Sequence, residues 1–523
     1  MHNSHVSGRN TSSHFDNESW GEKPWKKFEK IVFRLQKRIY AARKQGNLKK
    51  VNWLPRNLLK SRAALFLAVR KVTQLHAGKR TAGRDGKTAL TEMARRELIR
   101  RLEREATEWK PLPASRVFIP KPAGSPRKRG IPTIADRAWQ ALVTLALAPG
   151  AEATFPANSY GFRPGRGGGD APKVIWIRTC QGSKPSAKFS GYVYELDVEK
   201  CFDKIDPLDL IKGVEVPKNY RPSLFKVLKA GVVVNFSSYE NTEQGTPQGG
   251  VVSPVLANIA LTGIEAIGSC VRYADDRVFI IRDGECVERL KTEIDNFLAI
   301  RGLKVKASKT RRVDMKGGFD FLGLNFYRKP NGVSASKPKS GWLDKTKEQV
   351  RDLIVTSGLP KDELVKKVGR IMDGKRRFYQ YSNLGKVKGE WWKLNRYVRD
   401  KLGRDFSELP YGVNGHINVK GEKSPYDGDW KYWVQRNNRR YTRNIRAKIL
   451  KHQDGKCGMC GLPMVENMEI QLHHKDGNHT NNKFNNLQMV HRTCHRIHHR
   501  TTVKANKATC DHKPGAVKVA RPV

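Results

Sequence analysis

Two adjacent carboxylates, Asp275 and Asp276, interrupt the otherwise apolar run VRYADDRVFI at residues 271–280. A β-branched run broken in its middle by a short polar pair predicts an antiparallel hairpin around the acids. Like charges at a tight turn between buried strands repel each other, and a cation seated there relieves the cost. A second run, YELDVEKCFDKID at 194–206, carries Asp197 where its apolar part ends. Carboxylates from separate strands suit two Mg²⁺ ions in an in-line phosphoryl transfer. One ion activates an attacking 3′-oxygen and the other neutralises a triphosphate and its leaving group. An ordinary Asp-containing β-turn explains an isolated acid pair equally well; Asp197 upstream shifts the balance to catalysis.

Charge points to the class of partner. The 523 residues hold 100 Lys+Arg against 50 Asp+Glu, a formal +50 distributed along the whole chain. Such an excess repels itself unless a polyanion neutralises it, and nucleic acid is the usual one. A basic membrane-surface protein is the competing class, but the sequence shows no lipid anchor or strongly amphipathic basic helix. The best apolar run, Ala141–Ala148, falls far short of the ~18 residues a membrane span needs. The first residues lack both the apolar stretch of a signal peptide and the Arg content of a transit sequence, so a cytoplasmic chain is expected. Apolar residues make up 38%, enough to build cores and exclude global disorder. At roughly 100–200 residues per domain, three or four domains are expected.

The pattern of the chain is that of an α+β multidomain protein. Trp25, Phe28, Val32, Leu35 and Ile39 recur every three or four residues, which predicts a helix with one buried stripe. From 116 to 330 short β-branched runs alternate with helical segments and Gly/Pro turns. Helix returns over 345–402, with Leu364, Val368 and Ile371, then Trp391, Leu394 and Val398 at apolar spacing. Residues 403–430 have the Gly, Pro, Asp and Asn content of a linker. The basic stretch 501–523 reads as a disordered tail.

RYADDRVF resembles the central motif of reverse transcriptases, and DVEKCFDKID resembles their first aspartate motif. GTPQGGVVSPVLANIAL (245–261) resembles the stretch that cradles nucleotide and template. RVFIPKPAGSPRKRGIPTIADRAWQALVTLAL (116–147) and NSYGFRPGRGG (158–168) are similar to the fingers of group II intron-encoded reverse transcriptases. TAGRDG (81–86) resembles their N-terminal extension, and GLKVKASKTRR and FDFLGLNF their last palm motifs. The resemblance implies a right-hand polymerase: helical extension and start of fingers over 1–115, fingers and palm with an antiparallel sheet over 116–330, and a helical thumb and maturase region over 331–402. It implies that Asp197 and Asp275 hold Mg²⁺, with Asp276 beside them and the Val198 carbonyl assisting. Phe202 would reject a 2′-hydroxyl, and Lys121 and Arg127 would grip the triphosphate. Gln248 would lie under the incoming nucleotide, and Lys309 would protonate the departing pyrophosphate. A core Phe, a polar turn residue and a solvated Lys are the plain alternatives for Phe202, Gln248 and Lys309. Arg127-Lys128-Arg129-Gly130 stands where the family usually has Arg-Pro-Leu-Gly. Basic residues among Trp391, Trp392 and Tyr397 suit RNA backbone neutralisation and base stacking, with core aromatics as the alternative. SPYDGDWKYW (424–433) resembles the family's DNA-binding segment, placed at 403–445.

Cys457 and Cys460, two residues apart, pair naturally with His491 and Cys494 as tetrahedral Zn²⁺ ligands, with Cys494 and His498 a less fitting alternative pair. The remaining residues, His473, His474, Asn486, His495 and His499, resemble an HNH nuclease of ββα-metal fold over 446–500. That likeness makes His474 the general base, while His473 and His495, with His499 assisting, bind a divalent ion such as Mg²⁺ or Mn²⁺; Asn486 orients the loop of the base. A structural zinc knuckle alone would explain the four ligands but not this remainder. The whole implies a bacterial group II intron-encoded protein, its partners intron RNA, target DNA and dNTPs, with no membrane. The oligomeric state stays open, a homodimer included. An RNA-splicing cofactor without enzymatic activity, or a reverse transcriptase of another lineage, are the competing classes.

Overall fold

A computed structural model describes residues 19–119, 126–180, 189–234, 238–240, 245, 249–379, 382, 384–403, 406, 418–429, 432–433, 436, 445–464, 470–478 and 480–499. Lys121, Gln248 and the 501–523 tail lie outside these residues, as does the side chain of Arg127. The chain forms two compact units, Met1–Asp427 and Gly428–Val523. Among the described residues no helix is long and apolar enough to cross a membrane.

The first unit opens on helices Trp25–Lys44, Leu48–Lys60 and Arg62–Arg70. The 3.6-residue period brings Trp25, Phe28, Val32 and Ile39 onto one buried stripe, with Leu35 partly buried beside them. Trp20, Trp25, Phe28 and Phe66 form an aromatic cluster with ring centroids 5.1–6.3 Å apart. Each buried large side chain of this kind stabilises by roughly 1.5–3 kcal/mol. The nearly all-apolar helix Ile134–Glu152 packs against these helices and is buried on most of its circumference.

Strands follow: β1 (Ala114–Ile119), β2 (Arg127–Ile131), β3 (Phe189–Leu196), β4 (Val232–Val234), β5 (Ser238–Glu240), β6 (Cys270–Tyr273), β7 (Asp276–Arg282), β8 (Arg311–Asp314), β9 (Phe319–Phe321), β10 (Leu324–Arg328) and β11 (Ser334–Pro338). One sheet has the order β2-β1-β4-β5, a second β6-β7-β3-β8 and a third β11-β10-β9. The second sheet is antiparallel throughout and lies between two apolar cores. Side chains alternate across a strand, so Tyr194, Leu196, Phe279 and Ile281 enter the core shared with the N-terminal helices. Val193, Val278 and Ile280 enter the other. Burial on both faces is why the central run of β7, Val278–Ile281, is uninterrupted apolar sequence, while the edge strand β8 is polar and largely exposed. FDFLGLNF is a hairpin and not one strand: Leu322 and Gly323 both take positive φ, 49° and 74°, at the two-residue turn between β9 and β10.

Helices Trp342–Thr356, Lys361–Tyr379 and Leu384–Leu402 complete the second core. Two sequence expectations change here. Met372 is fully buried where Ile371 was expected, because the stripe drifts by one residue along the helix. Trp391 is a core residue whose ring stacks on Trp342 at 6.4 Å, so it is not presented for base stacking. Trp392 is 55% exposed with Arg396 over its ring, and the half-buried Tyr397 carries Lys347 over its ring.

Part of the stretch read as linker is also built into this unit. The Val419 amide donates to Asp170 at 3.1 Å, Arg166 donates to the Gly421 carbonyl at 2.8 Å, and Glu422 pairs with Lys44. Tyr426 lies against Phe33 and Tyr40. A Gly/Pro-rich composition forbids regular structure but not packing, and these backbone groups find their partners on the body of the unit.

The second unit holds helix Ile445–His452, a two-stranded sheet of β12 (Ile470–His474) and β13 (Leu487–His491), and a helical stretch over 492–499. Ile449, Leu450, Met464, Leu487, Met489 and Val490 form its small core together with Cys457, Cys460 and Cys494.

A carboxylate turn and a histidine cluster as candidate active sites

Tyr273 of β6 pairs with Asp276 of β7, which leaves Ala274 and Asp275 as a two-residue turn. Ala274 has φ 58°, a left-handed conformation that costs a non-glycine residue roughly 1–2 kcal/mol. Buried polar contacts hold the turn in that shape. Arg272, fully buried, donates from Nε to Glu265 at 2.5 Å and from Nη1 to Asn258 at 2.9 Å and to the Ala274 carbonyl at 3.3 Å. Arg277 donates to the Asp275 carbonyl at 2.9 Å.

Asp197 follows the last residue of β3, and Leu196 pairs with Arg277. One further step of this antiparallel register sets Asp197 opposite Asp276 on the same face of the sheet. Asp276 is accessible, yet desolvation by the surrounding protein, then the charges of Asp275 and Asp197, push its carboxyl up to about 6. Asp197 and Asp275 thus act on Asp276 from two chain segments, and the three acids make an oxygen-donor set that fits divalent cations. Lys309, exposed on a short turn, places Nζ 3.3 Å from Asp197 Oδ2. Val198 bridges Val305 through the neighbouring groups, Asp197 O accepting from Lys306 and Glu199 N donating to Lys304, so the bridge does not use the Val198 carbonyl. Phe202 is partly buried against the core. Gly245, at φ 90°, sits so close that a Cβ there would meet the Phe202 carbonyl oxygen at 2.5 Å. Gly249, at φ 115°, lies on Gly130 of β2, where a Cβ would come within 2.2 Å of the carbonyl oxygen. The two glycines tie the 245–261 stretch to the Phe202 turn and to β2.

In the second unit Cys457, Cys460, His491 and Cys494 present donor atoms all within 4.8 Å of one another. His491 Nδ1 lies 3.3 Å from Cys460 Sγ and 3.7 Å from Cys494 Sγ. Hydrogen bonds within the cluster hold the Cys457 thiol well below its ordinary range and the Cys494 thiol well above it, as thiols that share protons do. A buried Cys₃His set fits Zn²⁺, and His491, not His498, is its fourth member.

His473, His495 and His499 form a separate group, again with donor atoms within 4.8 Å. Burial, then the neighbouring His498, His495 and His499, lowers His473 to about 4, so it is neutral at pH 7. His474 Nε2 lies 3.3 Å from Asn482 Oδ1. Asn486 braces the loop between β12 and β13: it donates to Asp476 at 2.9 Å and to the Asn481 carbonyl at 2.8 Å, and accepts from the Asp476 amide at 3.1 Å.

Comparison with known proteins agrees with the first unit. Residues 20–102 match the N-terminal domain of reverse transcriptase, and residues 119–326 match the reverse transcriptase (RNA-dependent DNA polymerase) domain. Protein YkfC of Escherichia coli strain K12 is 30% identical over 306 residues, 50% of this chain and 79% of that protein. Maturase-like protein 1 of Euglena gracilis is 28% identical over 363 residues, 69% of this chain and 77% of the relative. The chain belongs to the family of group II intron-encoded and maturase-like reverse transcriptases. Group II intron-encoded protein LtrA of Lactococcus lactis subsp. cremoris, 38% identical over 171 residues, spans 32% of this chain and 27% of its own length. The matched domains end at residue 326, so the Cys/His unit is read from its own residues.

Sequence reasoning missed Asn258, Glu265 and Arg272. A charged residue one position before Tyr273 in an apolar strand was the available signal, because an inward-facing Arg needs a buried acid.

Proposed function

We propose that this reverse transcriptase copies intron RNA into DNA at the Asp197–Asp275–Asp276 site, assists splicing of its intron, and nicks target DNA with its Cys/His unit. The convergence of three repelling carboxylates at the end of a reverse transcriptase sheet carries the proposal. Asp197 and Asp275 would hold Mg²⁺, with Asp276 and the Val198 carbonyl beside them. The ions, when bound, would activate the primer 3′-oxygen and neutralise the triphosphate. Lys309, positioned by Asp197, is the proton donor to the leaving pyrophosphate. Phe202 is the side chain that excludes a 2′-hydroxyl, its backbone fixed by Gly245. Lys121, Arg127 and Gln248 are assigned to the triphosphate and base of the incoming dNTP.

In the second unit Cys457, Cys460, His491 and Cys494 would hold structural Zn²⁺. His473, His495 and His499 would hold a nuclease ion such as Mg²⁺ or Mn²⁺, which stabilises charge at the scissile phosphate. His474 takes the proton of the attacking water, and Asn486 keeps its loop in place. The exposed Trp392 and the basic residues around it suit contact with intron RNA or the copied duplex.

Nicking and primer extension by the ribonucleoprotein on a target duplex test the division of labour. His474→Ala should stop nicking yet extend a pre-nicked primer, and Asp275→Ala should do the reverse. Loss of both activities in either variant contradicts the assignment.

A further inference from the structure

Gly161 lies against the catalytic turn. A Cβ on it would meet Ala274 N at 2.3 Å, the Tyr273 carbonyl carbon at 2.8 Å and Ala274 Cβ at 2.9 Å. Its φ is not in the left-handed region, so backbone preference does not require glycine here; the lack of space does. The segment carrying Gly161 is fixed to the hairpin and to the body of the unit. Ser159 bridges Arg272, with Tyr160 N donating to Arg272 O at 2.9 Å and Arg272 N donating to Asn158 O at 3.0 Å. Asn258 donates to the Gly161 carbonyl at 2.8 Å while accepting from Arg272. On the far side Arg163, fully buried, is held by Glu152 through two hydrogen bonds of 2.8 and 3.0 Å. The next residue, Phe162, is itself forced to φ 59°.

A left-handed Ala274 persists only where the surroundings over-determine it. We infer that Gly161 is a positioning residue for DNA synthesis: its bare Cα is the seat on which the Ala274 backbone rests, and it sets where Asp275 presents its carboxylate. The inference rests on the reading of this turn as the polymerase site. Displacing the turn by about 1 Å is of the size that costs on the order of 10²-fold in rate when reacting groups are misaligned.

The test uses the full chain, comparing Gly161→Ala with Gly168→Ala, a neighbouring glycine with open space around it. Gly161→Ala should lower the rate of nucleotide addition about 100-fold. Primer–template affinity and the KM for dNTP should stay at wild-type values, and Gly168→Ala should resemble wild type. Amide hydrogen exchange of the β6–β7 hairpin should be faster in Gly161→Ala than in wild type. A wild-type rate, equal loss of primer–template affinity, or unchanged exchange would each overturn the inference. If wild type itself adds no nucleotide, the polymerase reading fails, and the exchange comparison still decides whether Gly161 seats the turn.

Discussion

Individual residues at the carboxylate turn are tuned by burial and then by charge. Asp276 is raised to about 6 from an ordinary 3.8, so between those values the folded chain keeps a proton that the unfolded chain releases. The metal-free protein therefore gains stability from this group as pH falls from about 6 towards 4. Cation binding must displace the same proton, so affinity weakens below pH 6. Calorimetric titration with Mn²⁺ should show about tenfold weaker binding at pH 5 than at pH 8, a difference that Asp276→Asn removes. The Arg272–Glu265 pair is a different case, because both side chains are almost wholly buried. Arg272→Met strands Glu265 and should cost about 3–5 kcal/mol in denaturant unfolding of the first unit. Replacing both partners by apolar residues should cost less. The acids were legible in the sequence because they break an apolar run. The buried network was not, because Asn258 and Glu265 reach Arg272 only through tertiary folding.

Elements followed the sequence where periodicity was strong. The β6–β7 hairpin and the buried stripe of Trp25–Lys44 fall where alternation and helical spacing place them. Expectation and structure part where composition was the only guide. Residues 418–427 have a linker's composition yet bond to Asp170, Arg166 and Lys44, and no local pattern announces such partners. The Cys/His unit lies between these cases, since pair spacing indicated the ligands while only the fold separates His491 from His498. Its core is small and three of its members are the thiols themselves, so Zn²⁺ held there as proposed would contribute folding energy. Cys457→Ser should abolish stoichiometric Zn²⁺, measured by elemental analysis, and with it DNA nicking. Primer extension should persist in that variant.

At the scale of the whole molecule, +50 of formal charge on 523 residues demands a polyanion. Binding of intron RNA should weaken steeply with salt, about 10³–10⁵-fold between 50 and 200 mM if six to ten phosphates are neutralised. Filter binding across that range measures the slope, and a flat profile would contradict an electrostatic RNA interface. A reverse transcriptase fold with three carboxylates around one turn should make DNA from RNA, and this activity has a direct assay. It is tested most directly by primer extension on an RNA template with dNTPs and Mg²⁺, comparing wild type with Asp275→Ala and measuring intron RNA binding alongside. Expected is DNA product from wild type alone, with RNA bound equally by both proteins. Product from Asp275→Ala, or none from folded wild type that binds RNA, would contradict it.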